Sequence, residues 1–299
     1  MNTSRSTGVC DTGVKASLMF IALGGEGGRA LIILQGWPPT RSRCSACPPR
    51  PARARAAWSE HPSRCARRGC SRPCATAARA MTRALAEGFT IVLGGDCTLV
   101  AGTVAGARRA LDQPVGLVYL DANADLNTPE TSPSGTLSGM ALALALGQGP
   151  REVAGAAGEP PAVLPEHVSL VGFRALDPGE RRALGDLGLA LPAAAARRLG
   201  MRVAAALALD GVGNGDGPVL VHLDVDVIDV AEMPAKQEVT SGDGLTLAEV
   251  SDLLTAVVAS PRVVALEVTE YDPSRDPDGA HARKIIDLIV RAMGRRLKR

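Results

Sequence analysis

Five short apolar segments of the chain are each followed, within a few residues, by a polar cluster that includes an acid. Segments of this length, rich in Val and Leu and bounded by turn residues, are typical of buried parallel strands. The carboxyl ends of parallel strands meet at one edge of a sheet, where such sheets bind ligands. The five segments are Thr90–Leu93, Val115–Leu120, His167–Val171, Val219–Leu223 and Val263–Val268.

The stretches around these segments have the spacing of helices. Strands that alternate with helices predict an α/β fold, in which helices cover both faces of a parallel sheet. Glycine closes the first helix at Gly88, as expected at a helix end. The predicted helices are Ala78–Gly88, Leu99–Leu111, Met140–Leu146, Thr246–Ala259 and Gly279–Arg296.

Two of the strand ends carry paired aspartates. Asp224 and Asp226 are two residues apart, which places both side chains on one face of a strand, ~6–7 Å apart along the chain. Asp121 and Asp125 follow another strand. Four carboxylates at one sheet edge repel each other unless a cation neutralises them. The pattern therefore predicts a metal site; the alternative is a scatter of helix caps and loop acids.

Charge divides the chain near Met81. Residues 1–80 hold 13 Lys+Arg and 3 Asp+Glu, a net charge of +10, whereas residues 81–299 hold 20 and 28, a net charge of −8. Six of the seven cysteines and both tryptophans also lie in the first part. We predict that residues 1–80 are an Arg/Pro/Cys-rich segment, disordered or atypical, and that residues 81–299 are the folded domain.

The first part leaves other interpretations open. A Cys-x-x-Cys pair followed by further cysteines is compatible with a zinc knuckle; these residues are Cys44, Cys47, Cys65, Cys70 and Cys74. Ten arginines between residues 41 and 79 are compatible with nucleic-acid binding. A GC-rich gene translated in a wrong frame gives a similar mixture. Because prolines and like charges prevent a packed core, we favour disorder and expect no nucleic-acid partner.

We expect a cytoplasmic protein without a membrane partner. No apolar run approaches the ~18–20 residues that a membrane span needs. Residues 16–24 have the length of a signal-peptide core, but Gly-Gly-Glu follows where a small-residue cleavage site would stand. The second part contains only one cysteine, Cys97, so it predicts no disulfide framework.

Four strings within the second part carry a family resemblance. They are GGDC at 94–97, DANADLNTPETSPSG at 121–135, HLDVDVID at 222–229 and EYDP at 270–273. Their order and spacing resemble the arginase/agmatinase/formiminoglutamase (ureohydrolase) family, its arginases most, over residues 88–297. The resemblance implies an arginase-like metallohydrolase domain with a three-layer α/β/α sandwich and a mainly parallel central sheet. It leaves open whether residues 20–35 supply the family's first strand.

The resemblance also implies two bridged Mn²⁺ ions that activate a hydroxide against a guanidinium carbon. It assigns Asp121 and Asp224 as bridging ligands of both ions. One ion is completed by Asp125 and Cys97, and the other by Asp226 and Asn123. The family has histidine at the positions of Cys97 and Asn123.

These two departures change the expected metal chemistry. A Cys97 thiolate is softer than an imidazole and shifts the preference toward Zn²⁺ or Fe²⁺. Asn123 offers only a neutral carbonyl oxygen, so one ion is expected to bind weakly. His222, two residues before Asp224, could replace a lost imidazole or be a hydrogen-bonded core residue.

The resemblance assigns catalytic roles to Glu270, which pairs with the guanidinium, and to Asp125, which holds the attacking hydroxide and passes a proton to the leaving amine. Ser138 replaces a loop histidine proposed to shuttle protons, so turnover is expected to be slower. Four further residues match positions that bind the substrate's amino-acid end: Asn127 and Ser134 for the carboxylate, Asp177 and Glu180 near the α-amino group.

Three functions remain open. The first is hydrolysis of a guanidino C–N bond in arginine or a modified arginine, releasing urea or a urea derivative. The second is hydrolysis of a hydroxylated or acylated guanidine, or of another amidine, on the same fold. The third is a decayed, non-catalytic family member. We predict the first, with a small-molecule guanidino substrate and a homo-oligomer, trimer or hexamer, as the resemblance implies.

Overall fold

The computed structural model of the protein describes residues 6–7, 16–22, 29–35, 71–149, 151–235 and 242–296. Four cysteines of the zinc interpretation, Cys44, Cys47, Cys65 and Cys70, lie outside these residues. That alternative therefore stays open, and the domain boundary at residue 80 stays a prediction.

One sheet runs through the described residues, and its strand order is β1-β2-β3-β4-β9-β8-β5-β6-β7. Every pairing from β3 across to β7 is parallel, whereas β1–β2 and β2–β3 are antiparallel. The predicted α/β fold with a mainly parallel sheet is confirmed. The strands are β1 Ser6–Thr7, β2 Ala16–Ala22, β3 Arg29–Gln35, β4 Thr90–Leu93, β5 Gly116–Leu120, β6 Val168–Val171, β7 Leu189–Leu191, β8 Val219–Asp224 and β9 Val263–Thr269.

Strand β3 answers the question about residues 20–35. It pairs in parallel with β4, from Leu31 opposite Thr90 to Leu34 opposite Leu93. Residues 29–35 therefore supply a strand beside β4, on the side away from β9.

Helices flank the sheet: α1 Ser71–Leu85, α2 Leu99–Leu111, α3 Ala141–Ala145, α4 Arg151–Ala154, α5 Ala193–Leu199, α6 Met201–Gly211, α7 Leu247–Val258 and α8 Ala280–Arg296. Strands β1 and β7 and helices α4, α5 and α6 were not predicted. Among the described helices, none combines the length and apolar character needed to cross a membrane.

Helix α1 begins at Ser71 rather than at the predicted Ala78. It packs against α2, where a Cβ on Gly102 or Gly106 would collide with the backbone of Cys74 or Ala78. Because α2 has glycine at both positions, the two helices approach closely, and Cys74 and Ala78 of α1 are buried. This packing supports the start of α2, which begins two residues after Cys97.

Two hydrophobic clusters cover the two faces of the sheet, as side-chain alternation along a strand requires. In β5, Leu117 and Tyr119 belong to the cluster under α1 and α2, whereas Val118 and Leu120 belong to the cluster under α6, α7 and α8. The result is a helix layer on each side of the sheet. The carboxyl ends of β4, β9, β8 and β5 are thereby adjacent and open to a shared cleft.

Candidate active site

A small cleft lies at the carboxyl ends of these central strands. All the predicted metal ligands except Asp121 line it, and Asp121 is fully buried next to it. Glu270 and Ser138, which the sequence also marked, are part of the lining. The lining residues are Cys97, Asn123, Asp125, Ser138, Gly139, Asp224, Asp226 and Glu270.

Asp224 and Asp226 do converge, but the predicted cause is wrong. Strand β8 ends at Asp224, and Val225–Val227 form a single 3-10 turn. The backbone N–H of Asp226 donates to Oδ1 of Asp224 at 2.6 Å. A turn, rather than alternation along a strand, therefore brings the two carboxylates together.

Three groups of buried side chains have potential ligand atoms within 4.8 Å of one another: Asp121, Asp224 and Asp226; Cys97, Asp224 and Glu270; and Cys97, Asp121 and His222. Oδ2 of Asp121 and Oε2 of Glu270 are buried and accept no hydrogen bond. Burial, followed by the charges of neighbouring carboxylates, raises the pKa of Asp121 and of Asp224 well above the ordinary value. A divalent cation would relieve this repulsion.

Cys97 occupies one of the two positions where the resemblance predicts histidine. Its Sγ donates to Oδ2 of Asp224 at 3.0 Å and lies 3.3 Å from Oγ1 of Thr269. Burial, and then the charges of Asp224 and Glu270, raise the pKa of the thiol well above its ordinary value. The group is therefore a neutral thiol unless a cation is present.

Asn123 occupies the other such position. Its Nδ2 donates to Oδ2 of Asp226 at 3.2 Å, and its backbone N–H donates to Oδ1 of Asp121 at 2.7 Å. In this orientation the amide stabilises a carboxylate instead of offering its oxygen. Ligation by Asn123 requires the amide to turn over, because amide oxygen and nitrogen exchange places in such a flip.

Asp125 and Glu270, the two residues assigned catalytic roles, both have left-handed backbones, with φ of 52° and 65°. This conformation costs a non-glycine residue about 1–2 kcal/mol, and such strain concentrates at functional sites. Hydrogen bonds hold both side chains: Oδ2 of Asp125 accepts from the Tyr119 hydroxyl at 2.6 Å, and Oε1 of Glu270 accepts from the Cys97 N–H at 3.0 Å.

A buried polar row that the sequence did not reveal as a unit lies beneath the cleft. Tyr119, His222 and Glu267 are register partners on β5, β8 and β9. Tyr119 stacks on the His222 ring at a centroid distance of 4.2 Å, and Nδ1 of His222 lies 2.9 Å from Oε1 of Glu267. The sequence singled out His222, and the further signal was Glu267, a charged residue inside an apolar strand.

The residues predicted to bind the amino-acid end of a substrate are only partly assembled. Nδ2 of Asn127 donates to Oδ2 of Asp177 at 2.8 Å. Glu180 is buried, and its two carboxylate oxygens accept the backbone N–H groups of Leu126 and Asp177 at 3.0 and 2.8 Å. Ser134 is exposed on its loop, contacts Oγ1 of Thr136 at 2.9 Å and does not line the cleft.

Comparison with known proteins agrees with this architecture. A family model described as the arginase family matches residues 62–294. The chain belongs to the arginase family. The arginase of Bacillus subtilis (strain 168) is 32% identical over 210 residues, which cover 70% of each chain. The arginase of Agrobacterium fabrum (strain C58 / ATCC 33970) is 35% identical over 228 residues, 73% of this chain and 68% of that one.

Solved structures of the arginase family have the same fold. The crystal structure of arginase from Bacillus subtilis subsp. subtilis str. 168 superposes with a TM-score of 0.70 at 30% identity, covering 76% of this chain and 79% of that chain. Membership indicates a hydrolase that acts on guanidino or amidine C–N bonds. The family is metal-dependent, and the three groups of buried side chains contain the residues that could hold an ion.

Proposed function

We propose that the protein hydrolyses a guanidino C–N bond of arginine or a modified arginine and releases urea or a urea derivative. One observation carries the proposal: buried aspartates converge at the cleft beside Glu270, and oxygens of Asp121 and Glu270 have no hydrogen-bond partner. Such oxygens are costly unless a cation or a cationic substrate is bound. Both would be present in a metal-dependent guanidino hydrolase.

The residues present fit a divalent ion. Asp121, Asp224 and Asp226 offer only hard oxygen ligands, which suit Mn²⁺, and Cys97 beside Asp224 and Glu270 offers a softer one, which suits Zn²⁺ or Fe²⁺. We propose Mn²⁺ as the cofactor, with the position next to Asn123 binding an ion more weakly. When bound, the ion supplies the Lewis acidity that makes water nucleophilic near neutral pH.

Glu270 orients the substrate in this proposal. Its Oε1 is fixed by the Cys97 N–H, and its buried Oε2 is free to accept an N–H of the guanidinium. Burial, and then the charge of Asp224, raise the pKa of Glu270 well above the ordinary value. A bound cationic group would lower it again, so Glu270 and the substrate stabilise each other's charge.

Asp125 moves the proton. The Tyr119 hydroxyl fixes one of its oxygens at 2.6 Å, so the carboxylate faces the cleft in one orientation. From there it accepts the proton of the attacking water and passes it to the leaving amine. Ser138, which also lines the cleft, cannot act as a general base at neutral pH, so the final proton returns through water.

Asn127 and Ser134 are proposed to bind the substrate's carboxylate, and Asp177 its α-amino group. Glu180 acts as a positioning residue, because both of its oxygens already accept backbone N–H groups, including that of Asp177. Three further proposals remain. The sequence pattern supports a cytoplasmic location without a nucleic-acid or membrane partner, whereas the family resemblance supports a small-molecule substrate and a trimer or hexamer.

The test is urea release from L-arginine by Mn²⁺-loaded protein, together with the Glu270→Gln variant. Loss of the charged partner should lower kcat/KM by about 100- to 1000-fold. Glu166→Gln, an exposed residue before β6, is the matched control and should leave kcat/KM unchanged. Metal-loaded protein that releases no urea contradicts the proposal for arginine.

The thiol of Cys97 favours a second candidate, hydrolysis of a hydroxylated or acylated guanidine or another amidine. Its Sγ lies 3.0 Å from Asp224, where it changes both the ion and the space available to a substituted guanidine. A substrate panel of arginine, hydroxyarginine and acylated guanidines separates the candidates. Turnover of a substituted guanidine without turnover of arginine would favour the second.

A further inference from the structure

His222 is a fully buried histidine whose surroundings resemble those of a metal ligand. Its Nδ1 lies 2.9 Å from a carboxylate oxygen of Glu267, and Tyr119 stacks on its ring. Metal-binding histidines usually donate their second ring N–H to a carboxylate, which fixes the tautomer and raises the basicity of the ligating nitrogen. With the proton on Nδ1, the lone pair of His222 is on Nε2, whose hydrogen-bond neighbour is the hydroxyl of Thr269.

The side of the ring that carries Nε2 faces Thr269, which lies next to Cys97 of the cleft lining. Nε2 lies 3.3 Å from Oγ1 of Thr269, which in turn lies 3.3 Å from Sγ of Cys97. A ring nitrogen of His222, Sγ of Cys97 and a carboxylate oxygen of Asp121 all lie within 4.8 Å of one another. Oδ2 of Asp121 is buried without a hydrogen-bond partner, so an oxygen of this carboxylate is able to bind an ion.

We infer that Cys97, Asp121 and His222 form a binding site for one Zn²⁺-class ion, with His222 as a ligand. Sulfur, nitrogen and oxygen donors together favour Zn²⁺ over Mn²⁺. The ligand atoms of a tetrahedral Zn²⁺ lie about 3.5 Å apart, so a small inward movement of these side chains is enough. The ion displaces the thiol proton that Cys97 donates to Asp224, and that proton leaves to solvent.

A purely structural role explains the surroundings of His222 less well. Oε2 of Glu267 is buried and accepts no hydrogen bond, so the His222–Glu267 pair is an incompletely satisfied polar pair inside an apolar sheet. Such a pair is no more stabilising than well-packed apolar residues. A ligand role accounts for the pair, since the imidazole stands beside the position where Cys97 replaces a histidine.

The inference rests on the proposed function only for the presence of an ion, and its test measures ligation directly. Zn²⁺-loaded full-length protein is studied by X-ray absorption, which should detect one sulfur and one imidazole in the first shell. Co²⁺-loaded protein should show a thiolate-to-metal charge-transfer band, which Cys97→Ser should abolish. A first shell containing only oxygen ligands would overturn the inference without any variant.

Variants then test His222 alone. His222→Gln should weaken Zn²⁺ binding at least about tenfold, and Glu267→Gln by a smaller factor. His167→Gln, at the opposite end of the sheet before β6, is the matched control and should bind Zn²⁺ like the parent protein. Unchanged Zn²⁺ affinity in a folded His222→Gln protein would overturn the inference.

The two proposals can fail separately. A protein that binds Zn²⁺ through sulfur and imidazole but hydrolyses no guanidino compound would support this site and contradict the proposed function. A protein that releases urea with ions held only by oxygen ligands would support the proposed function and overturn this site.

Discussion

The cleft has two halves, and each lacks a histidine that the family resemblance predicts. The halves differ in the donor groups that surround the replaced position. The thiol half consists of Cys97, His222 and Glu270. The amide half consists of Asn123, Asp125 and Asp226, although the resemblance assigns Asp125 to the ion that Cys97 completes. In the thiol half, the missing imidazole is replaced by a sulfur ligand with a second imidazole within reach. In the amide half, an amide donates to Asp226, and no described histidine joins a candidate ion-binding group there.

Loss of the same residue type therefore has different consequences in the two halves. Ligation depends on the donors that surround a position, because an ion needs several of them at once. The thiol half keeps sulfur, nitrogen and carboxylate donors, which are softer ligands, whereas the amide half keeps only carboxylate donors. We expect the two halves to prefer different ions and to bind them with different strength.

The largest effect is expected from Asp224→Asn, because Asp224 contributes to both halves. It belongs to two of the three candidate groups and accepts hydrogen bonds from Cys97 and Asp226. The variant should lose at least about 100-fold in affinity for both Mn²⁺ and Zn²⁺, as measured by metal titration of chelator-treated protein.

Asp210→Asn, an exposed position on α6, is the control for Asp224→Asn and should bind both ions normally. If the Asp224→Asn protein loses affinity for only one of the two ions, the expectation is wrong, because the two halves then do not share this carboxylate.

The next largest effect compares two restorations of histidine. Asn123→His should raise Mn²⁺ affinity by about 10- to 100-fold, because the amide half gains the nitrogen ligand that it lacks. Cys97→His should change Mn²⁺ affinity less and lower Zn²⁺ affinity, because it removes the sulfur donor. Parallel Mn²⁺ and Zn²⁺ titrations measure both effects, and equal gains in Mn²⁺ affinity would contradict a difference between the halves.

The sequence predicted the acidic edge of the sheet better than it predicted the groups beneath that edge. Continuous apolar segments placed β4, β5, β6, β8 and β9 correctly because buried parallel strands have a strong pattern. The short β7 and the alanine-rich α5 and α6 have no comparable pattern. The backbone around Asp226 is a turn, and spacing alone does not distinguish a turn from the end of a strand.

The partners of the site residues were beyond sequence reasoning for a physical reason. Tyr119, His222 and Glu267 are far apart in the chain, and only the register of β5, β8 and β9 aligns them. Register depends on the packing of whole strands. The close approach of α1 and α2 likewise depends on which faces of the two helices meet, so the start of α1 was predicted too late.

A smaller effect compares the hydrogen bonds that hold the two halves. The Tyr119 hydroxyl donates to Asp125 in the amide half, and the Tyr271 hydroxyl donates to Asp276 next to the thiol half, at 2.6 and 2.8 Å. Tyr119 is fully buried and Tyr271 is partly exposed. Tyr119→Phe should lower the free energy of unfolding by about 1–3 kcal/mol, since it strands a buried carboxylate oxygen.

Tyr271→Phe is the matched comparison and should lower the free energy of unfolding less, because water can replace its hydroxyl. Urea unfolding of the metal-free proteins measures both changes. Equal losses would show that the two halves are held equally firmly, and would remove this difference between them.

The smallest effect concerns Asp276, in the loop that joins Glu270 to α8. Burial opposes ionisation of Asp276, but hydrogen bonds from the backbone N–H groups of Ala282 and His281 and from the Tyr271 hydroxyl lower its pKa well below 3.8. A carboxyl with a lowered pKa stabilises the fold at pH values above 3.8, and this stabilisation is lost as the pH falls below that value. Asp276→Asn should therefore lower Tm at neutral pH, and the gap to the parent protein should narrow under acid.

Thermal unfolding at neutral and acidic pH measures the Asp276→Asn gap, with Asp287→Asn, an exposed position on α8, as the control. The control should match the parent protein at both pH values, because the charge of Asp287 accepts no comparable set of N–H groups in the described structure. A gap that stays constant under acid would mean that the geometry of the acceptor, and not its charge, holds the loop. In that case Glu270 would keep its position at low pH. Any loss of ion binding in acid would then come from protonation of the metal ligands.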